Sequence, residues 1–284
     1  MKTELLVCCH NESAKGDDLL VTVRAGAALH QQDKVVCDFY DDDGENISAL
    51  NPCYNELTVL YWAWKNYEKL GDPDRIGLMH YRRFFYFDPT VEDVRLHTVA
   101  TQEEFFKKSL VCVQNANLLF EKGDFVCPRP SRRQSVYRHY AMTHRAKDLD
   151  LAVEILKRLF PDYAEAADEY LEGNENFFFN MFIFPKEIFF RYAEFLFPIL
   201  AEYLSVKREG ERLFVSERLT GIFLHKLIKE GLRPVYLPVL YREGSAKERL
   251  KGFFREWKSV KGIKPKARAA ARLLLKRRKE SRKI

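Results

Sequence analysis

The sequence predicts an α/β fold: buried strands alternating with amphipathic helices, ahead of a basic tail. Residues 5–9, 76–79 and 124–127 are short apolar runs without polar alternation, as expected of strands covered on both faces. Leu57, Leu60, Tyr61 and Trp64 recur at helical spacing, as do Leu149, Ala152, Ile155, Leu156 and Leu159. A chain of 284 residues buries a full core, so residues 1–244 are expected to form one domain and residues 245–284 a basic, amphipathic helical tail.

Taken in order, the first strand ends at His10, and residues 17–29 fit strand or helix equally. Residues 38–48 are acidic and turn-forming, a loop placed either to fold over a ligand or to lie solvated. Asn51 is expected to cap a helix with Pro52 in its first turn, whose apolar face buries two aromatic rings before Gly71 stops it. The following strand ends in His80-Tyr81-Arg82-Arg83. Open α/β sheets bind ligands outside the carboxyl ends of their strands, and adjacent arginines there suit phosphate. Neighbouring strand residues point to opposite faces, which leaves open whether both arginines meet the anion.

Thr101 and Glu104 make a capping box for a helix through Phe105 and Phe106, and Pro128 is expected to stop the strand at 124–127. The segment 129–145 is basic and aromatic, and reads as a loop carrying His139 and His144 ahead of a helix at 148–160. Residues 174–184 read as one apolar strand with Asn176 and Asn180 embedded; buried amides there must bond the backbone or face a cleft. A helix at 187–204 interrupted at Pro198, a helix opened by Ser216-Glu217-Arg218, and a last strand at 233–241 complete the domain.

Composition and motifs exclude several classes. Aromatics at 14% beside 31% charged residues rule out general disorder and leave rings for sugar or base stacking. The six cysteines lack C-x-x-C spacing, which disfavours zinc and fits free thiols in a reducing cytoplasm. No apolar run approaches the ~20 residues of a spanning helix. P-loop, dinucleotide-binding, nucleophile-elbow and zincin motifs are all missing. Residues 251–284 hold fourteen Lys/Arg against two Glu, +12, so with a net charge of +6 the rest of the chain carries −6. The tail is therefore the part expected to meet a polyanion: an anionic membrane surface in preference to nucleic acid.

Six blocks in this order, D-D-G-E-N-I-S at 42–48, N-P-x-Y-x-E-L-T-x-L-Y-W-A-W-K-N at 51–66, I-G-L-x-H-Y-R-R at 76–83, H-Y-x-x-T-H at 139–144, N-M-F-I at 180–183 and S-E-R-L at 216–219, resemble a bacterial capsular polysaccharide synthesis family. The departures are Glu45, where aspartate is common, and Asn55, where cysteine is frequent. The resemblance implies a GT-A-like mixed sheet and a glycosyltransferase that moves a hexosyl group from a nucleotide diphosphate sugar, UDP-galactose being the family-level choice. Its acceptor would be a lipid-linked glycan in capsule, exopolysaccharide or lipopolysaccharide O-antigen synthesis. The place implied is cytoplasmic and peripheral, on the inner face of the cell membrane. The rival reading is a non-catalytic sugar-nucleotide or polysaccharide binding subunit.

GT-A enzymes usually hold a metal through D-x-D where this chain has His80-Tyr81-Arg82-Arg83. The expectation is that guanidinium groups replace the metal; the alternative is Mg²⁺ or Mn²⁺ held by Asp41, Asp42 or Asp43. Glu217 is the expected base for the acceptor hydroxyl, with Glu56 second, although either also suits a helix start. His10, Asn46, Asn51 and Tyr54 are expected around the donor beside His80, Tyr81, Arg82 and Arg83. His139, His144, Asn176 and Asn180 are expected on sugar or acceptor hydroxyls.

Overall fold

The computed structural model describes residues 1–98, 102–132, 134–206 and 212–242. The basic tail and its expected helix lie outside the described residues, as do Thr101 of the capping box and Arg133. Strand β1 (Thr3–Cys9) leads to β2 (Leu20–Arg24) and β3 (Phe39–Tyr40). Helices α1 (Asn51–Tyr54) and α2 (Leu57–Lys65) and a 3₁₀ turn over Tyr67–Leu70 follow, then β4 (Arg75–His80), β5 (Arg83–Phe85) and β6 (Arg95–Thr98). Next come α3 (Gln102–Lys108), α4 (Val113–Lys122), β7 (Phe125–Pro128), β8 (Ser131–Arg132), α5 (Val136–Thr143), α6 (Ala146–Leu159) and α7 (Ala164–Glu172). The described chain closes with β9 (Glu175–Asn176), β10 (Phe182–Pro185), α8 (Lys186–Ser205), α9 (Ser216–Lys229), β11 (Pro234–Leu237) and β12 (Val239–Arg242).

The main sheet has the order β11-β7-β10-β4-β1-β2-β3, with β12 joining β5 and β6 beside it. It is mixed: β1, β2, β3 and β4 run parallel, whereas β10 is antiparallel to both β4 and β7. Side-chain alternation splits each central strand between two buried layers. Leu6, Cys8, Ile76, Leu78, Phe182 and Phe184 join the layer holding α2, α8 and α9; Leu5, Val7, Met79 and Ile183 join the other. The lack of polar alternation in these strands thus has its expected cause. Because β10 runs opposite to β4, the residues just before β10 lie at the edge where β1 and β4 end. Among the described residues no helix is long and apolar enough to cross a membrane.

Several segments differ from expectation. The helix expected from Asn51 breaks at Asn55, whose φ of 51° is left-handed, and Asn51 lies inside its first turn, not at the cap. The ring buried completely is Trp62; Tyr61 and Trp64 are half-buried, with Trp64 stacked flat on Phe197 of α8 (5.6 Å, 4°). The α-helix itself ends at Lys65, short of the expected stop, and Gly71 instead closes the following 3₁₀ turn in a left-handed conformation (φ 71°). Strand β7 does end at Pro128 as expected, with the proline as its last residue. The expected strand over 174–184 is two short strands, β9 and β10, separated by an irregular turn in which Phe179 has φ 70°. Tyr170 anchors that turn, its hydroxyl accepting from the Phe177 amide at 3.2 Å. Gly221 of α9 leaves the room for the Tyr170 ring, since a Cβ there would stand 2.0 Å from the hydroxyl oxygen. The segment bearing His139 is helix α5, capped by the Ser135 hydroxyl, and residues 233–241 form two strands.

Candidate active site

A cleft of about 440 Å³ opens at the carboxyl ends of β1 and β4, lined by His10, Tyr54, Glu56, His80, Tyr81, Arg82, Arg83, His144, Asn180 and Glu217. Each arrives for a local reason. His10 and His80 follow directly from paired strands, Cys8 lying opposite His80 in the register. The left-handed turn at Asn55 ends α1 and delivers Glu56 into the cleft at the foot of α2. Tyr81 and Arg82 lie in the turn between β4 and β5, so the chain is not extended there, and both Arg82 and Arg83 reach the cleft. Arg82 is exposed; Arg83 is half-buried, with its guanidinium 4.9 Å from the Phe179 ring centre. Among the described residues neither arginine pairs with a carboxylate, leaving both charges available to an anion.

A buried polar network forms the floor. Asn180 donates to Glu56 Oε1 (2.8 Å) and to Ser216 Oγ (3.1 Å), and its carbonyl accepts from Thr220 (3.0 Å), which Tyr192 contacts in turn at 2.6 Å. Its amide is thereby fully oriented, which fixes Glu56. His80 Nε2 lies 3.8 Å from Glu56 Oε1 and has no hydrogen-bond partner. At the start of α9, Glu217 keeps 32% of its side chain open. Burial, only partly countered by Arg218, raises its carboxyl above the ordinary range, with the Glu56 charge adding to the rise and Arg83 and a bond from the Phe179 amide opposing it. A carboxylate with a raised pKa beside two guanidinium groups can accept a proton next to an anion site.

Residues 4–229 match the family described as Domain of unknown function (DUF4422). The chain belongs to this family. The DUF4422 domain also superposes on the structure of WbbM, a bifunctional glycosyltransferase in its apo state, with a TM-score of 0.76 and 27% identity. The match covers 86% of this chain and 46% of that one, so the chain spans less than half the length of WbbM. No curated protein matches the chain. The chain thus carries a glycosyltransferase-like domain.

Other expected site residues of the DUF4422 domain lie elsewhere. The Asn46 amide donates to the carbonyls of Asp42 and Gly44 and accepts from Ser48, which locks the acidic loop. Buried Asn51 donates to the Asn55 carbonyl and to Thr58, holding the α1–α2 corner. Neither residue lines the cleft, because short-range backbone partners use both side chains. The three aspartates do not converge on a metal-sized centre. Asp41 accepts from the Gly26 and Ala27 amides and from Ser48, Asp43 pairs with Lys69 at 2.8 Å, and Asp42 borders a separate cavity near Arg24. His144 stacks on Phe214 at the cleft wall (4.6 Å), whereas His139 and Asn176 line a different cavity. Sequence reading missed Arg212 and Phe214 at the cleft rim and Arg218 behind it; only the adjacency of Arg218 to Glu217 in S-E-R-L signalled any of them.

Burial holds the His80 imidazole neutral, its pKa lowered to about 4 despite the nearby Glu56. An unfolded His titrates near 6.5, so the unfolded chain takes up this proton first and stability falls as pH drops from about 6.5 to about 4. A His80→Gln variant lacks this titration. Between about pH 7 and about pH 4, urea unfolding should show wild type losing about 3 kcal/mol more than the variant. Parallel losses would assign His80 an ordinary pKa.

Proposed function

We propose that this chain is a glycosyltransferase that moves a hexosyl group from a nucleoside diphosphate sugar, UDP-galactose first among candidates, to a lipid-linked glycan acceptor. The pathway is assembly of capsule, exopolysaccharide or O-antigen, at the cytoplasmic face of the membrane, with the basic tail against anionic lipid. The observation that carries the reading is the cleft that brings unpaired Arg82 and Arg83 together with Glu56 and Glu217. The acceptor hydroxyl oxygen attacks the anomeric carbon while Glu217 takes its proton. The bond from that carbon to the diphosphate oxygen breaks with inversion, and the leaving group departs with the electron pair. Arg82 and Arg83 stabilise the charge that develops on it, and the Asn180-oriented Glu56 faces the sugar hydroxyls.

A thermal-shift screen of nucleoside diphosphate sugars tests this reading, with mass spectrometry of products on a lipid-linked acceptor. A donor present at about 100 times its Kd should stabilise the fold by about 2.7 kcal/mol and yield an acceptor heavier by one hexose. Stabilisation without transfer would indicate the binding-subunit reading, and stabilisation by no nucleotide sugar would overturn the transferase reading.

A further inference from the structure

A second cavity, of about 820 Å³, is lined by Arg95, His139, Asn176 and Phe178 and shares no lining residue with the first. Its polar groups are fixed before any ligand arrives. Arg218, only 3% exposed, places Nη2 3.2 Å from His139 Nδ1. Guanidinium nitrogen can only donate, so Nδ1 accepts and the neutral imidazole carries its proton on Nε2. Burial and the charges of Arg218 and Arg95 keep that ring neutral.

Asn176, 2% exposed, donates its amide hydrogens to the carbonyls of Gln134 and Asn174. Its Oδ1 is therefore held in place, and it has no hydrogen-bond partner. A buried amide oxygen left unmatched costs stability unless a ligand or water supplies a donor. Arg95 has its guanidinium 5.0 Å from the Phe178 ring centre and 5.7 Å from that of Phe179, and no described carboxylate pairs with it. The lining thus offers donors at His139 and Arg95 and an aromatic face at Phe178, with the Asn176 amide held at its buried edge. A sugar, whose hydroxyls accept from such donors while its apolar ring carbons lie on an aromatic face, suits that combination.

Arg218 lies between the two sites, touching His139 on one side and Glu217 on the other. Arg218 Nη1 lies 3.6 Å from Glu217 Oε2, and the Phe179 amide bonds the same carboxylate. We propose that this second cavity binds the acceptor glycan through one of its sugar units, held by His139 Nε2–H, Arg95 and the Phe178 face, while the reacting hydroxyl of the glycan lies in the first cleft at Glu217. The inference rests on the transferase reading above and adds where, and by what chemistry, the acceptor is held.

The test is ligand-observed NMR on the full chain, with 4-nitrophenyl glycosides of galactose, glucose, N-acetylglucosamine and rhamnose as probes in saturating UDP. At least one glycoside should bind alongside UDP. His139→Gln, which keeps an acceptor for Arg218, and Arg95→Ala, at an exposed strand position, should each weaken it about tenfold, the loss of roughly one hydrogen bond to the sugar. Calorimetry with UDP on the same samples reports the donor cleft separately and should be unchanged. Intact UDP binding with no glycoside bound, with glycoside displaced by UDP, or with equal affinity in both variants would overturn the acceptor assignment alone. Failure of the wild-type chain to bind UDP or any other nucleoside diphosphate would instead overturn the transferase reading, and the assignment with it.

Discussion

Glu217→Gln should lower turnover by about 10²–10⁴-fold, the range for removing a general base, while donor affinity changes by less than about twofold. The substitution preserves shape and keeps an amide oxygen near Arg218, so the effect isolates loss of the proton acceptor. The raised carboxyl pKa sets the accompanying pH profile. Base catalysis needs the ionised form, so wild-type kcat/KM should fall toward acid on a limb centred above the ordinary glutamate value of about 4.3. That limb should vanish in the variant. Wild-type turnover in the variant, or a persistent acid limb, would assign the proton to another group, with Glu56 next in line because it lines the same cleft.

Arg83→Met should cost about 10²–10³-fold in kcat, with a smaller rise in donor KM, because charge stabilisation acts most strongly on the departing diphosphate. Of the two cleft arginines it is the half-buried one, held against the Phe179 and Tyr241 rings (4.9 and 5.8 Å), and it works in a lower dielectric than the exposed Arg82. Arg82→Met should show the same pattern more weakly. Both variants are best compared in excess chelator. Turnover that survives chelation in the wild type and collapses in Arg83→Met supports guanidinium in place of metal; complete loss on chelation, restored by Mn²⁺, would sink that role.

How far the site was legible in the sequence depended on how local each determinant was. The buried runs ending at Cys9 and His80 follow from unbroken apolar patterning, whereas the helix end does not: α2 stops at Lys65 and Gly71 closes only the 3₁₀ turn after it. The Arg82–Arg83 question turned on a single turn. Read as strand, the pair diverges; with Arg82 in the bend before β5, it converges. Asn46 and Asn51 were misplaced because the sequence does not show that a nearby backbone carbonyl claims an amide first. His139 and His144 looked like one unit, but residues five apart on a helical path are separated by about 140°, and they border different cavities. The Phe179 break escaped notice because nothing in an F-F-F-N run announces a left-handed residue.

The hydrogen bond from Asn180 to Glu56 spans 124 residues of sequence. Closing so long a loop has an entropic cost, which the β4–β10 strand pairing beside it helps to offset, so the floor of the cleft depends on that pairing. No half of the chain can hold a partial version of it. Occupancy of the cleft is for the same reason coupled to cooperative folding of the whole domain: a ligand gripping Glu56 and Asn180 clamps the two ends of that loop, and its binding free energy opposes global unfolding as well as local opening.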